Sequence, residues 1–379
     1  MPRWQTRAPK KPDVKTSATK SSVPLVSVCV PTCNGASHLE ECLASIRAQT
    51  FADFEVIITD DASDDATLAI AKKFAEQDGR FQVHSNPRRL GLVGNFNCGM
   101  QLARGEWIKL VSQDDLLRPE CLARMLAAAR EEKSKFIACR REFIFSAETT
   151  AETRAFYAQS AAGIDHFFRR HQTRSPESFA KAILECIGAN FIGEPTAVMF
   201  QRELIGSCGR FNENLIMCCD SEYWYRLGTT TAVTFIPETL AEFRVHGASA
   251  SALNFDRRRF QMEHLDLLVV VHEFMHHPHY ARLRAVAEKY FGAKFLDHNL
   301  RERAWQAWSG LQEKLAAKSG DAGQCRQEWE AMGAAYPRLQ EPASPPDLAE
   351  KILAARPIYS LRKMTGKILR AASQPKSPR

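Results

Sequence analysis

The chain has 379 residues, 45% of them hydrophobic and 25% charged, a globular profile with length for one large domain and an appendage, or for two domains. Its longest apolar runs, such as LDLLVVV at 265–271, fall far short of the ~20 residues a membrane-spanning helix needs, and the N-terminus has no apolar stretch of signal-peptide length, so an integral membrane or exported protein is not expected. The net charge of +7 is uneven: residues 1–23 carry +5 and residues 351–379 carry +8, which leaves a mildly acidic body at −6.

Residues 1–23, rich in Lys, Ser, Thr and Pro, read as a disordered basic tail. VPLVSVCVP (23–31) is an all-apolar strand, as expected where both faces of a sheet are covered. A helix follows, with Leu39, Leu43 and Ile46 at helical spacing and Ser37 as its N-cap. FEVIITDDASDD (54–65) is a second strand ending in acids, ATLAIAKKFAEQ a helix and FQVHSN a short strand. NFNCGMQLA, WIKLV and PECLARMLAAAREE then read as helix, strand and helix. This alternation predicts a doubly wound α/β sheet. Further on, FIGEPTAVMF (191–200) and TAVTFIPETLAEFRV (231–245) look like strands, with a loop-to-helix segment between them. The pattern is helical over 256–318, a Pro/Gly/Ser-rich break covers 319–348, and a basic segment ends the chain. The 11 cysteines include no C-x-x-C pair, and reduced core thiols are the expectation.

Ligands of open α/β sheets bind beyond the carboxyl ends of the strands. Three polar clusters fall there: PTCNG (31–35), DDASDD (60–65) and SQDD (112–115). Neither G-x-G-x-x-G nor a Walker loop is present, so a bound nucleotide would need another way to neutralise its phosphates. A divalent cation on Asp114 and Asp115 is one; the alternative is that the pair is a solvated loop.

Together, VSVCVPTCNGASHLEECLASIRAQTFADFEVIITDDASDD and SNPRRLGLVGNFNCGMQLARGEWIKLVSQDDLLRPECL resemble, in order, the opening of family-two glycosyltransferases with the GT-A fold. The resemblance is strong over 25–135 and extends more weakly to about 251. It implies a donor site in which Pro31 and Asn34 lie along the nucleoside and Asp61 accepts a hydrogen bond from the imide of uracil or thymine, while Asp60 is structural. Asn95 would line the donor pocket. Arg88 and Arg89 are secondary candidates for phosphate contact. It further implies Asp115 as ligand of Mn²⁺ or Mg²⁺, with Asp114 holding the ribose or assisting the metal.

In the second half, GRFNENLIMCCDSEYWYRL resembles the family segment whose Asp is the catalytic base. That position is Asp220, with Cys219 where relatives carry Glu and with Glu222 in reserve; a helix N-cap is the plainer role. FRVHGASAS supplies His246 for the metal or pyrophosphate and Arg244 for phosphate, and Glu194 in GEPT is an acceptor-side candidate.

HEFMH (272–276) matches the H-E-x-x-H zinc-protease pattern through His272, Glu273 and His276. No third ligand follows, and Pro278 would end the helix, so a His-rich helix end is the simpler account. In the basic C-terminal segment, Ile358, Leu361 and Ile368 share one side; it either lies on an anionic membrane face or packs as an ordinary helix.

The expectation is therefore an inverting glycosyltransferase using a nucleoside-diphosphate sugar, with a glycan or lipid-linked acceptor. It would be cytoplasmic, with membrane contact through the C-terminal tail and no nucleic-acid partner. The expected division is a 24–252 GT-A domain, a 253–318 helical extension, a 319–348 linker and a 349–379 basic tail. A non-catalytic nucleotide-sugar-binding scaffold is the rival reading.

Overall fold

The computed structural model describes residues 23–169 and 172–339. The first half alternates: β1 (Val26–Thr32), α1 (Ala36–Arg47), β2 (Phe54–Asp60), α2 (Thr67–Gln77), β3 (Phe81–Ser85), α3 (Gly91–Leu102), β4 (Trp107–Leu110), the two-residue β5 (Leu116–Leu117), α4 (Cys121–Glu131) and β6 (Phe136–Phe145). There follow α5 (Ala151–Phe168), β7 (Thr173–Arg174), α6 (Pro176–Glu185), β8 (Val198–Gln201), α7 (Leu204–Cys208), α8 (Cys219–Thr230) and β9 (Val233–Val245). A helical extension of α9 (Ala250–Arg257), α10 (Asp266–His276), α11 (Ala281–Phe291), α12 (Phe295–Ala316) and α13 (Ala322–Ala335) completes the described chain.

β1 and β2 are buried along their whole length, which explains apolar sequence without alternation. Val26, Val28, Val30, Val56 and Ile58 face a core layer closed by Leu39, Leu43 and Ile46 of α1, Phe74 of α2 and Met125 of α4. Cys29 and Ile57 face the opposite layer, which holds Phe96 of α3 and Tyr223 and Trp224 of α8. That second layer runs without a break into the extension, through Val270 and Phe274 of α10, Leu311 of α12 and Trp329 of α13. The extension therefore shares its core with the sheet.

The sheet order is β3-β2-β1-β4-β8-β6-β9-β5, with β7 beside β9. β3, β2, β1 and β4 are parallel, and β8 runs against both β4 and β6. The chain winds outward from β1 to β3 and then crosses to β4 on the other side of β1. This switch point opens a crevice between the loops after β1 and β4, where PTCNG and SQDD lie.

Several boundaries differ from expectation. α1 starts at Ala36 after Gly35, with no side-chain cap, so Ser37 is already inside the helix. In 191–200 only Val198 onward is strand, because Pro195–Ala197 form a 3₁₀ turn. The stretch expected as a linker over 319–348 contains α13, which buries Cys325, Trp329 and Met332. The tails expected at 1–23 and 349–379 lie, but for Val23, outside the described residues.

Candidate active site

The loops at the strand ends are tied together by side chains. Gln113 accepts from the Cys33 amide at 2.8 Å and donates to its carbonyl at 3.1 Å. A Cβ on Gly35 would stand 2.1 Å from the Gln113 Oε1, so glycine there leaves room for this clamp. Asn34, held at φ +49, accepts from Asp64 N–H at 3.0 Å and donates its own N–H to Ser63 Oγ at 3.0 Å. Pro31 pairs with Thr59 in the β1–β2 ladder.

Asp61 is almost fully buried, and three protein donors converge on it: Leu90 N–H at 2.7 Å, Gly91 N–H at 2.9 Å and Asn86 Nδ2 at 3.0 Å. It fixes the turn into α3, and about one of a carboxylate's four acceptor positions is left for a base. Asn95 departs from expectation. Its amide donates to Thr32 O at 3.1 Å and Thr59 O at 2.8 Å and accepts from Asn86. Both its donors serve carbonyls at the paired ends of β1 and β2, so it ties the two strand ends together from inside the core. Arg88 and Arg89 are exposed, and Arg89 reaches Asp64 at 3.3 Å.

The two acids of the pair sit in different surroundings. Asp115 is 0% exposed, accepts from Thr196 Oγ1 at 2.5 Å and from Arg244 N–H at 2.8 Å, and is pushed well above the ordinary carboxyl range by burial, with Asp114 adding to it. It is sealed off from a ligand at the crevice. Asp114 is the open carboxylate: its side chain is 17% exposed and its Oδ2 lies 2.9 Å from His246 Nε2, itself 15% exposed. His38 of α1 meets the His246 ring edge-on at 4.9 Å, and burial lowers its pKa. Arg244 is held by Glu41 at 2.7 Å and by the Asp114 carbonyl at 2.9 Å, so it braces the turn.

Asp220 lies in the first turn of α8, behind an N-cap at Cys218, so it is not the cap residue. Its carboxyl accepts from Ser221 N–H at 2.5 Å and from Asn190 Nδ2 at 3.2 Å. Burial raises its pKa from 3.8 to about 7, opposed by the Ser221 amide and reinforced by the Glu194 charge. Glu194 itself is paired with the buried Arg141, whose Nη2 donates to it at 3.1 Å. The reserve base is excluded by geometry: Glu222 is buried in an ion pair with Arg226 at 2.7 Å and also accepts from Tyr280 Oη at 2.7 Å.

One short loop thus joins the two halves. Asn190 bonds Asp220, Trp224 Nε1 donates to Gly193 O at 2.9 Å, Glu194 meets Arg141, and Thr196 bonds Asp115. Asn190, Arg141, Thr196 and His38 escaped the sequence reading, because no local pattern marks them.

The HEFMH histidines lie elsewhere, on α10. The His272 and His276 rings are 4.6 Å apart, but Arg338 occupies the His276 Nδ1 at 3.0 Å. Among the described residues no group of three His, Cys, Asp or Glu side chains could hold a metal ion. No described helix is long and apolar enough to cross a membrane.

The model of glycosyl transferase family 2 matches residues 27–205. The Mycobacterium tuberculosis protein MT1568 is 33% identical over 238 residues, covering 62% of this chain and 72% of its own. The putative glycosyltransferase EpsH of Bacillus subtilis is 39% identical over 110 residues, 29% of this chain and 31% of its own. Among solved structures, Staphylococcus aureus TarS 1–349 with UDP-GlcNAc superposes with TM-score 0.55 at 16% identity, covering 91% of this chain and 92% of that one. The mannosyltransferase PcManGT of Pyrobaculum calidifontis, in complex with GDP-Man and Mn²⁺, gives 0.51 at 18% identity, covering 94% and 89%. The fold is that of the GT-A glycosyltransferases, and with the sequence likeness it establishes that the chain belongs to glycosyl transferase family 2 and is a glycosyltransferase.

Proposed function

We propose that the chain transfers a sugar from a nucleoside-diphosphate donor, with UDP as the first carrier to test, to a hydroxyl of a glycan or lipid-linked acceptor, with inversion. The observation that carries this reading is the loop of residues 190–196, which joins the Asp114–Asp115 turn to Asp220. It holds a half-open carboxylate–imidazole pair and a carboxyl of near-neutral pKa in one frame.

In this reading the nucleoside lies against Pro31, Asn34 and the Asp61 turn. Asp114 and His246 would hold Mn²⁺ or Mg²⁺: the carboxylate oxygen suits either ion, and the imidazole favours the softer Mn²⁺. When bound, the ion offsets the negative charge that builds on the departing diphosphate. Asp115 is kept behind Asp114 by Thr196 and Arg244 and sets its direction. Asp220 accepts the proton of the acceptor hydroxyl. The freed oxygen pair attacks the anomeric carbon opposite the nucleotide, and the electrons of the broken C–O bond leave with the diphosphate. Asn190 orients the Asp220 carboxyl, and the Glu194–Arg141 pair flanks it. A cytoplasmic setting with the C-terminal tail on an anionic membrane face would suit a lipid-linked acceptor.

The test is a thermal-shift panel of UDP-GlcNAc, GDP-mannose and free UDP with Mn²⁺ or EDTA, on wild type and Asp114→Ala. One nucleotide sugar should stabilise wild type by mass action only with metal, and Asp114→Ala should lose that shift. A metal-dependent shift that survives in Asp114→Ala would overturn the assignment.

A further inference from the structure

The base helix starts without an ordinary cap. The first four amides of any helix lack intrahelical partners, and Cys218 at the N-cap of α8 offers no side-chain bond. The extension reaches the N-cap amide, Cys218 N–H, together with the two loop amides that lead into the helix. Asp266, the first residue of α10, is fully buried and collects three successive amides: Ile216 N–H at 3.1 Å, Met217 N–H at 2.5 Å and Cys218 N–H at 3.0 Å.

Three more residues of the extension reach the same stretch. Gln261 Nε2 donates to Asn214 O at 2.9 Å. Tyr336, just beyond α13, accepts from Asn212 Nδ2 at 2.9 Å and from Asn214 Nδ2 at 3.3 Å. Tyr280 donates to Glu222 at 2.7 Å one turn into α8. From the sheet domain, Asn97 of α3 anchors the loop's beginning, donating to Phe211 O at 3.0 Å and to Glu213 at 2.9 Å. Between that anchor and Asp220 the loop buries Leu215, Cys218 and Cys219 in the core and leaves Met217 46% exposed.

We propose that Asp266 is a positioning residue for Asp220: the helical extension, through this buried carboxylate and Tyr336, sets the direction of the first turn of α8 and so of the base. The assignment of Asp220 as base rests on the function proposed above; the clamp itself does not. A buried carboxylate on three amides is a stiff, directional anchor, because charge-assisted hydrogen bonds are roughly twice as strong as neutral ones. Losing its charge weakens the hold on the Ile216, Met217 and Cys218 amides. The first turn of α8 then relaxes outward, and the Asp220 carboxyl leaves its contact with Asn190 for solvent.

The experiment needs no substrate. The Asp220 carboxyl is titrated by ¹³C NMR, and amide exchange is followed at 216–218, in wild type, Asp266→Asn and Tyr336→Phe. With Asp266→Asn the Asp220 midpoint should fall from about 7 toward 3.8 by at least about one pH unit. Exchange at 216–218 should quicken about tenfold or more. UDP affinity with Mn²⁺ should stay within about twofold of wild type, a split that general loss of structure would not give. A folded Asp266→Asn protein with unchanged Asp220 midpoint and exchange overturns the proposal. Should that variant not fold, Tyr336→Phe decides, since it removes a second anchor of the same loop and should move both readouts the same way. Failure of wild type to bind UDP with Mn²⁺ would strike the donor-site reading and leave these two readouts standing.

Discussion

Replacing Asp220 by Asn pulls stability and activity in opposite directions. The carboxyl pKa is displaced from 3.8 to about 7, chiefly by burial, with Glu194 adding and the Ser221 amide opposing. At about 1.36 kcal/mol per pH unit, this penalises the charged form by about 4 kcal/mol. The sign follows from proton counting. Between roughly pH 4 and pH 7 the folded protein keeps a proton that the unfolded chain has released. The group's contribution to stability is therefore fully present below the unfolded value and lost as pH rises through the folded one. Asp220→Asn has no such slope. Above pH 7 it should regain up to about 4 kcal/mol, less about 1 kcal/mol for a lost hydrogen bond. That loss is unavoidable, because Asn190 Oδ1 is already held by the Ile192 and Gly193 amides at 3.0 and 2.8 Å, so Asn190 cannot flip to accept from a new amide.

Turnover behaves in the opposite sense, because a base must be ionised. Wild-type rates should climb through about pH 7, and Asp220→Asn should lose about 10²- to 10⁴-fold while UDP affinity persists. Initial rates of donor consumption across pH 5–9 and chemical denaturation at the same pH values, about four units apart at the extremes, give both readouts on both proteins. Activity in the variant within about tenfold of wild type, or a stability difference between the two that does not change with pH, would refute the reasoning.

The Glu194–Arg141 pair offers two further tests. Arg141→Met leaves Glu194 part-buried without its partner, and urea unfolding should report a loss of about 3–5 kcal/mol. Glu194→Gln removes a negative charge that raises the Asp220 pKa, so the acidic limb of the pH–rate profile should move to lower pH; a limb that stays put or moves up would contradict the geometry.

The alternation of apolar strands and amphipathic helices through residue 131, and the acids at the strand ends, were legible from sequence because they are local. A buried parallel strand must be apolar on both faces, and a helix such as α1 must repeat its buried Leu39, Leu43 and Ile46 every three or four residues. The resemblance added the family and the register of Asp114, Asp115, Asp220 and His246. Within 145–195, α5 carries only two buried residues, Ile164 and Phe168, and so leaves little periodic signal, whereas α6, which buries Phe179, Ala180, Ile183 and Leu184 behind the cap Ser175, carried a signal that went unread.

What each polar residue does was decided by tertiary structure. Nothing in the letters of SQDD distinguishes its two acids. Asp115 is sealed because Thr196 and Arg244, 81 and 129 residues away in sequence, deliver donors to it, and Asp114 is open because they do not. Asn95 is drawn into the core by the carbonyls of two strands, and Glu222 by Arg226 and Tyr280. Asp266 lies in an ordinary helical pattern 46 residues beyond Asp220, yet it holds the amides that lead into the base helix. Apolar burial follows from a residue's own neighbours in sequence. The satisfaction of a buried charge depends on donors brought from distant segments, and only the folded chain shows which ones arrive.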